Sequence, residues 1–449
     1  MTVRQLFGTA YLASQVRGQA RYPFRPLADL QRDQGRRVRA AVAHAYRYVP
    51  FYREALDRLG LRPSDFRTAE DLARLPLVET EDYQRDPDRF LSTAAPREAY
   101  LGLPTSGSTG QPRTIYHDWR EIAQNAAHAE RERCLISALL GHPRTYRETI
   151  FKASATGTTP QEIQQMLRRH VWFPRRIGIQ RQFLSIFDPM PEIVARLNEF
   201  QPDVIDANGS YLALLFGYLH KSGAACHLPK VVTYSSESVS EPIRRLILDE
   251  FHLPVLSAYQ TTEAFKVGWE CDRHTGYHLN IDLYPLRLID PEGRTLPAGE
   301  PGEVVISNLI NRATVLLNYR LNDLARLVPD PCPCGRTLPL LSILEGRARS
   351  LLRFDNGREL HPAHLTRPFT HEPGIWQHQV IQETGACVTV AMVAAPSVNQ
   401  EEVTRRLTAE LQAVVGEGVA VNLAFVEEIP HTPGGKIRPL VVREQAPGR

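Results

Sequence analysis

Short apolar segments alternate with amphipathic helical segments through the middle of this chain, and this alternation restricts the fold more than any other sequence feature. A β-branched stretch over 230–234 precedes residues 241–251, whose apolar positions repeat at helical spacing. A second strand-like segment follows at 254–259. Strands that alternate with helices of this length are typical of βαβ units in a parallel sheet. We therefore predict an α/β fold in which helices flank parallel strands.

The C-terminal part of the chain has a different pattern. Residues 302–328 favour strands and turns, and residues 387–395, 401–414 and 419–426 predict a strand, a helix and a strand. A chain of 449 residues exceeds what one ordinary hydrophobic core accommodates. We therefore predict two domains, a large one over residues 1–345 and a small α+β domain over residues 346–449.

The charge balance and hydropathy exclude several classes of partner. A formal net charge of +3 is too small to indicate a nucleic-acid partner or an anionic membrane surface. No apolar run approaches the ~20 residues that a membrane-spanning helix needs. The first residues lack a basic segment followed by an apolar stretch, so we expect no signal peptide. These features predict a cytoplasmic protein with no nucleic-acid and no membrane partner.

Hydroxyl residues interleaved with glycine form the sharpest local motif. The run reads Thr105-Ser106-Gly107-Ser108-Thr109-Gly110-Gln111-Pro112-Arg113. Glycine allows the backbone to approach a ligand closely, and the backbone N–H and side-chain hydroxyl groups could surround a polyphosphate. The run lacks the Gly-Lys-Ser/Thr ending of the P-loop NTPases. On composition alone, a surface linker of small polar residues fits equally well.

This run resembles the phosphate-binding signature of the adenylate-forming enzymes, which include the acyl- and aryl-CoA ligases. Further segments resemble the motifs of that superfamily in the same order, namely residues 259–263 (YQTTE), 319–323 (YRLND), 346–347 (GR) and 432–438 (TPGGKIR). Within the superfamily, residues 49–53 (VPFYR) and 332–336 (CPCGR) look most like the phenylacetate-CoA ligase family.

The resemblance implies a fold and a reaction. The fold would be α/β, with a large N-terminal adenylate-forming domain that includes a β-subdomain and a small, mobile C-terminal domain that carries Lys436. ATP would activate a carboxylic acid, by family analogy an aromatic one, to an acyl-adenylate with release of pyrophosphate. The acyl group would then pass to coenzyme A. A homodimer is the usual state of the family.

Two other functions remain open at this point. The acceptor could instead be an amine or a carrier protein, in an amide-forming or other biosynthetic pathway. A catalytically inactive nucleotide-binding protein is the third hypothesis, and the intact Glu263, Asp323 and Lys436 argue against it.

The resemblance also implies roles for individual residues. Lys436 would bridge the substrate carboxylate and the α-phosphate, Thr262 would hydrogen-bond the α-phosphate, and Glu263 would help to hold Mg²⁺. Tyr259 would lie along the adenine, and Asp323 would accept hydrogen bonds from the ribose hydroxyls. The complete set of predicted ATP-binding residues is Thr105, Ser106, Gly107, Ser108, Thr109, Gly110, Arg113, Ser236, Glu237, Tyr259, Asp323 and Arg347. The predicted walls of the substrate pocket are Tyr211, Ala258 and Gln260.

The chain departs from the superfamily pattern at four places. Arg113 replaces the usual lysine of the phosphate loop, and Gln260 replaces a glycine. Leu321-Asn322 stands where Thr-Gly is usual. At the hinge between the domains, Arg349 or Ser350 occupies the position of the usual aspartate, which leaves the pivot residue undetermined.

Three cysteines and a histidine predict a metal site. Cys332 and Cys334 are separated by one residue, and Cys271 and His278 precede them in the chain. Three thiolates and one imidazole can form the tetrahedral ligand set of a structural Zn²⁺, and some phenylacetate-CoA ligase relatives carry a similar cysteine cluster. The alternative is a turn with unpaired cysteines, because paired zinc ligands more often have two or more residues between them. We predict His278 as the fourth ligand, since His274 is close enough to Cys271 to strain a shared site.

Lysine is scarce in this chain. It occurs at five positions, so arginine supplies 48 of the 53 basic residues. Codon bias explains most of this ratio and also explains Arg113. Lys436 is therefore conspicuous, because a compact ammonium group fits between two anions better than a planar guanidinium does.

We predict that Lys436→Ala abolishes formation of the acyl-adenylate but leaves transfer from a supplied acyl-adenylate largely intact. The reason is that the lysine would act between the two anions that react in the first step. ATP–pyrophosphate exchange measures that step, and unchanged exchange in the variant would contradict the assignment.

Overall fold

The computed structural model of this chain describes residues 2–105, 113–143, 145–156, 159–172, 178–347 and 351–443. The helices, in chain order, are α1 (Val3–Val16), α2 (Leu27–Tyr48), α3 (Pro50–Leu59), α4 (Thr80–Arg85), α5 (Trp119–His128), α6 (Glu130–Leu139), α7 (Thr159–His170), α8 (Met190–Phe200), α9 (Gly209–Ser222), α10 (Glu241–Arg245), α11 (Ala363–Thr370) and α12 (Gln400–Val415).

The strands, in chain order, are β1 (Leu101–Pro104), β2 (Thr114–His117), β3 (Thr145–Lys152), β4 (Gly178–Ser185), β5 (Val204–Asn208), β6 (Val231–Ser235), β7 (Val255–Thr261), β8 (Phe265–Glu270), β9 (Tyr277–Leu279), β10 (Leu286–Ile289), β11 (Pro301–Ile306), β12 (Tyr319–Val328), β13 (Leu340–Arg347), β14 (Leu352–Arg353), β15 (Glu359–Leu360), β16 (Ile375–Thr384), β17 (Cys387–Ala394), β18 (Ala420–Phe425) and β19 (Leu440–Val442).

The chain forms two compact units, each assembled from segments that are distant in sequence. Unit 1 contains Met1–Arg144, Thr156–Gly178 and Leu256–Leu344. Unit 2 contains Thr145–Ala155, Ile179–Val255 and Glu345–Arg449. The C-terminal segment therefore belongs to the same unit as strands β3 to β6. The predicted domain boundary between residues 345 and 346 stays a prediction.

Antiparallel strands dominate unit 1. Its strands follow the order β10-β11-β12-β13-β9-β8-β7, and β7, β8 and β9 pair antiparallel with their neighbours. Strands β1 and β2 form a separate antiparallel hairpin. The core of this unit packs apolar residues of α2 against large side chains, among them Trp269 and Tyr319 of the sheet and Tyr284 between β9 and β10. The hairpin and the sheet carry most of the motif residues.

A fully buried ion pair lies inside unit 1. The guanidinium of Arg131 donates to both carboxylate oxygens of Asp282 at 2.8 and 3.0 Å, and also to Gln19 and Asn280. Burial alone would raise the pKa of Asp282, but the Arg131 charge outweighs burial and holds that pKa well below its usual range. Four of the five N–H donors of this guanidinium are therefore used, which compensates for burial of its charge.

Unit 2 combines a parallel sheet with an α+β layer. Strands β3, β5 and β6 are neighbours and run parallel, and α9 connects β5 to β6. The predicted βαβ pattern is thereby confirmed. A second sheet has the order β18-β17-β16-β19, and α12 packs its apolar residues into the core of this layer. On β16, Trp376 lies against Gly217 of α9, where a Cβ atom would come within 2.8 Å of the indole ring.

The sequence predictions for the C-terminal region also agree with the structure. The predicted strand at 387–395, helix at 401–414 and strand at 419–426 correspond to β17, α12 and β18. The helix predicted over 241–251 is α10 followed by a π-helical turn at Leu246–Glu250. None of the helices in the described part of the chain has the length and apolar character that crossing a bilayer requires.

We predict that Arg131→Ala lowers the free energy of unfolding by about 3–5 kcal/mol, because the substitution leaves the Asp282 carboxylate buried without its counter-charge. Chemical denaturation followed by tryptophan fluorescence measures this change. Arg294→Ala is the matched control, because Arg294 pairs with Asp290 at the exposed surface. This control should leave the unfolding midpoint unchanged, and an equal effect of both variants would contradict the prediction.

Candidate active site

Two hydrogen bonds join Thr105 and Arg113, the residues that flank the glycine-rich segment next to strands β1 and β2. The backbone N–H of Thr105 donates to the Arg113 carbonyl oxygen at 2.7 Å, and the Arg113 N–H donates to the Thr105 hydroxyl at 3.1 Å. These two hydrogen bonds hold Thr105 and Arg113, the residues on either side of the intervening segment, close together. The predicted phosphate-loop residues within that segment lie outside the described residues, namely Ser106, Gly107, Ser108, Thr109 and Gly110.

Arg113 and Glu263 meet at the base of this loop. The Arg113 guanidinium donates to the Tyr319 hydroxyl at 2.7 Å, and its Nη2 atom lies 3.5 Å from Glu263 Oε1. Both charged side chains are nearly buried, with 15% and 9% of their surface exposed. The Arg113 Nε atom is buried and has no hydrogen-bond partner among the described residues. A guanidinium with an unused donor is thus held beside a carboxylate.

The turn between β7 and β8 positions Glu263 and its neighbour Thr262. Strands β7 and β8 pair antiparallel up to Thr261 and Phe265, so the residues between them form a tight reversal. The Ala264 N–H donates to the Thr261 hydroxyl at 3.1 Å, which fixes the turn from inside. Phe265 has a positive φ of 50°, an uncommon conformation for an aromatic residue. Uncommon backbone conformations of this kind cluster at functional sites.

A buried network behind this turn involves residues for which the sequence provides no motif. The Asn308 amide donates to the Glu263 carbonyl oxygen at 2.9 Å and to Glu121 Oε1 at 2.8 Å. The other Glu121 oxygen lies 2.8 Å from His117 Nδ1, and both of these side chains are fully buried. Asn308 is 187 residues from Glu121 in the chain, so no local sequence pattern could reveal the contact.

Tyr259 and Asp323, the predicted nucleoside contacts, are paired. The Tyr259 hydroxyl donates to Asp323 Oδ2 at 2.8 Å. The pairing of β12 with β11 is interrupted between Arg320 and Leu324, so this short segment bulges out of the ladder. Within the bulge, Asn322 has a φ of 61°. Asparagine tolerates this left-handed conformation better than most residues, which explains physically why it can stand where the superfamily has glycine.

The predicted pocket walls lie in different surroundings. On β7, Ala258 is buried and pairs with Trp269, whereas Gln260 is exposed. In unit 2, Tyr211 is fully buried on α9 with its ring 4.6 Å from that of Phe151. The Tyr211 hydroxyl has no hydrogen-bond partner among the described residues, and burial raises its pKa. Their role in binding a substrate stays a prediction.

Unit 2 also contains Lys436 and the segment after β6. Ser236 has a positive φ of 74°, and Glu237 follows it. Glu237 Oε1 accepts a hydrogen bond from the Ile437 N–H at 2.8 Å, next to Lys436. Burial raises the pKa of Glu237.

Arg347 is the final residue of β13. The hinge candidates Arg349 and Ser350 lie outside the described residues.

The four predicted zinc ligands lie together in unit 1. The ligand atoms of Cys271, His278, Cys332 and Cys334 are all within 4.8 Å of one another. The Cys271 and Cys332 sulfur atoms are 3.6 Å apart, and Cys334 Sγ is 3.4 Å from His278 Nε2. A tetrahedral site with zinc–sulfur bonds of about 2.3 Å has sulfur–sulfur edges of about 3.8 Å. The observed spacing and donor set therefore fit Zn²⁺.

The pKa shifts of this cluster favour metal binding at His278 and Cys332 and oppose ionisation of Cys271. Burial lowers the pKa of His278 to about 4, so the imidazole is in the neutral, metal-binding form near pH 7. Burial raises the pKa of Cys271 to about 12. Burial also opposes ionisation of Cys332, but hydrogen bonds from the Thr275 hydroxyl and the Cys334 backbone hold its pKa below the usual value. The alternative ligand His274 instead lies 3.5 Å from Glu270 Oε2.

Comparison with known proteins gives a consistent set of relatives. A family model described as the CapK C-terminal domain matches residues 352–444. Phenylacetate-coenzyme A ligase of Thermus thermophilus is 24% identical over 451 residues, covering 92% of this chain and 96% of that protein. The phenylacetate-coenzyme A ligase of Escherichia coli is 28% identical over 334 residues and 72% of each chain. Protein CapK of Staphylococcus aureus is 19% identical over 88% of this chain and 86% of that protein.

Solved structures share the fold. A 2-hydroxyisobutyryl-CoA ligase in the postadenylation state matches with a TM-score of 0.74 and 18% identity, over 94% of this chain and 91% of that chain. The anthranilate-CoA ligase AuaEII in complex with anthranoyl-AMP matches with a TM-score of 0.52 and 16% identity, over 77% and 67% of the two chains. At this level of identity the matches establish the architecture, a large α/β body with a smaller C-terminal domain.

We predict that the purified protein contains about one Zn²⁺ per chain, because the four ligand atoms already lie within 4.8 Å of one another. Elemental analysis checks this, and less than about half an equivalent in the unaltered protein would count against the site. Cys334→Ser should lower the zinc content severalfold. Cys387→Ser is the matched control, because Cys387 lies on β17 outside the cluster and should not affect the metal.

Proposed function

We propose that this chain, a member of the phenylacetate-CoA ligase-like family of adenylate-forming enzymes, activates a carboxylic acid with ATP and transfers the acyl group to coenzyme A. In the first half-reaction a carboxylate oxygen attacks the α-phosphorus, the bond from that phosphorus to the β-phosphate oxygen breaks, and pyrophosphate leaves. In the second, the coenzyme A thiolate attacks the acyl carbon and AMP leaves. Both steps bring together anionic reactants, so the protein must supply positive charge and fixed positions.

The convergence of Arg113 and Glu263 at the base of the glycine-rich loop carries this proposal. A polyphosphate in the loop would lie beside Arg113, whose buried Nε has no partner among the described residues. The Glu263 carboxylate, 3.5 Å from that guanidinium, provides the hard oxygen ligand that Mg²⁺ prefers. Mg²⁺ bound there would neutralise phosphate charge. Thr262, in the same turn, would hydrogen-bond the α-phosphate.

The Tyr259–Asp323 pair supports nucleoside binding beside this phosphate site. A carboxylate has several acceptor positions, so Asp323 can accept ribose hydroxyl groups while it still accepts the Tyr259 hydroxyl. The Tyr259 ring, held by that hydrogen bond, presents a face for the adenine. The hydrogen bond would thus fix the ring and the carboxylate relative to each other before ATP binds, which lowers the entropic cost of binding.

An aromatic carboxylate is the substrate class that we propose, because the relatives with the highest coverage are named for an aryl acid. Ala258 and Gln260 stay the predicted substrate contacts in unit 1, and Tyr211 stays the predicted contact in unit 2. The buried Tyr211 hydroxyl would give a polar substituent on the ring a hydrogen-bond partner.

A cytoplasmic location, a homodimer and a mobile domain over residues 346–449 remain predictions.

We predict that ATP–pyrophosphate exchange depends on an aromatic acid when phenylacetate, benzoate, 2-aminobenzoate, 2-hydroxyisobutyrate and acetate are compared. Glu263→Gln should lower the exchange rate by about 100-fold, because it removes one charged ligand of Mg²⁺. The control is Glu292→Gln, since Glu292 is an exposed residue paired with Arg294.

The acceptor is tested separately by adding coenzyme A to the preformed acyl-adenylate. Consumption of the adenylate with formation of a thioester supports a CoA ligase. Consumption only with an amine or a carrier protein would favour the amide-forming alternative, and the absence of exchange with every acid would contradict the proposed activity.

A further inference from the structure

The loop that carries Lys436 is a closed turn with its own internal hydrogen bonds. The Thr432 N–H donates to the Lys436 carbonyl oxygen at 2.8 Å, and the Gly435 N–H donates to the Thr432 carbonyl oxygen at 2.8 Å. The Thr432 hydroxyl also donates to the Lys436 carbonyl oxygen at 2.9 Å. Gly435 has a φ of 76°, and a Cβ atom there would lie 2.9 Å from Ile186. The turn is therefore preformed and closely packed within unit 2.

Two side chains bind the backbone on either side of Lys436. The Asn208 amide donates to the Gly435 carbonyl oxygen at 2.8 Å, directly before the lysine. The Glu237 carboxylate accepts from the Ile437 N–H at 2.8 Å, directly after it. Asn208 is 227 residues from Gly435, and Glu237 is 200 residues from Ile437. One donor and one acceptor thus fix the two peptide groups that flank the lysine.

Asn208 does not cap the helix that it precedes. It occupies the N-cap position of α9, where an asparagine oxygen normally accepts a hydrogen bond from the first turn of the helix. Here Asn208 makes no such capping bond. Its amide group instead points to the Gly435 carbonyl oxygen and is almost completely buried. Helix α9 therefore has no side-chain cap from Asn208, and the Asn208 amide instead makes a long-range hydrogen bond to the Lys436 turn.

Close backbone packing places Glu237 beside the same helix end. A Cβ atom on Gly209 would lie 2.6 Å from the Glu237 carbonyl oxygen and 2.4 Å from that of Ser238, so only glycine fits there. The second Glu237 oxygen accepts a hydrogen bond from the Ser210 hydroxyl at 2.6 Å. That hydroxyl also lies 3.3 Å from His431 Nε2, at the start of the Lys436 turn. Both oxygens of this carboxylate are therefore engaged by protein groups.

We infer that Asn208 and Glu237 form a clamp that positions Lys436 for the adenylation half-reaction. The inference rests on the proposed function, because it assumes that Lys436 acts between the carboxylate and the α-phosphate. Neither clamp residue touches the reacting atoms in this role. Each holds a peptide group adjacent to the lysine, so the ammonium group extends from a fixed point. Transfer to coenzyme A would not depend on the clamp, because the lysine acts only in the first step.

Asn208→Asp is the most informative variant. It keeps the side-chain shape and a good helix N-cap, but it replaces the amide donor by an oxygen that faces the Gly435 carbonyl. We expect ATP–pyrophosphate exchange to fall by about 10- to 100-fold, because a displaced catalytic group loses rate steeply. Thioester formation from a supplied acyl-adenylate should stay within threefold. Glu237→Gln, which keeps an acceptor for the Ile437 N–H, should retain more exchange activity than Glu237→Ala.

Gln377→Ala is the matched control. The Gln377 amide donates to the Ser210 carbonyl oxygen at 2.7 Å, so it also joins the C-terminal segment to α9 but does not contact the Lys436 turn. This variant should exchange pyrophosphate at close to the unaltered rate. The clamp is overturned if Asn208→Asp exchanges within threefold of the unaltered protein, if both half-reactions fall equally, or if Gln377→Ala falls as far as Asn208→Asp.

A measurement that does not need activity separates the clamp from the proposed function. Hydrogen–deuterium exchange of the peptide covering residues 432–438 reports whether the turn is held. We expect this peptide to exchange at least about tenfold faster in Asn208→Asp and to be unaffected in Gln377→Ala. Unchanged protection in Asn208→Asp would overturn the clamp. Lost protection in a protein that activates no acid would support the clamp as a positioning device and contradict the proposed reaction instead.

Discussion

Two nearly buried charges of opposite sign determine how strand β2 meets the β7–β8 turn in unit 1. Charges that leave water need a partner, so Arg113 and Glu263 hold these two elements together. Tyr319 and Asn308 then fix these two residues from the protein side. The candidate site is thus preorganised by electrostatics, with the arginine and the acid held in place by the protein alone.

The sequence motifs predicted candidate site residues but not what those residues touch. The order of the motifs pointed to Arg113, Glu263, Tyr259 and Asp323, all of which unit 1 contains. The contact between Arg113 and Tyr319 spans 206 residues, and no local pattern encodes it. The alternation of strands and helices predicted β6, α10 and β7, because their burial imposes a periodicity that a sequence displays directly.

Other features depend on packing that a single sequence does not display. The C-terminal segment belongs to unit 2 because of contacts such as that of Trp376 with Gly217. The Trp376 indole ring fits there because glycine has no side chain. Asn322 stands where the resembled motif has glycine, and its positive φ is a conformation that asparagine tolerates better than most residues. The cysteine and histidine spacing predicted a ligand set, but the distances between the ligand atoms come from the antiparallel pairing of β8 and β9 and of β9 and β13.

The closed turn at residues 432–436 has a consequence for how tightly it is held against α9. Because its internal hydrogen bonds do not involve the rest of unit 2, the turn could separate from α9 without changing its own shape. The hydrogen-bond contacts to Asn208, Ser210 and Glu237 would be among those lost. At about 1 kcal/mol net for each hydrogen bond, these three contacts alone would favour the docked state by roughly two orders of magnitude. A bias of that size lies within the range that binding of a ligand can reverse.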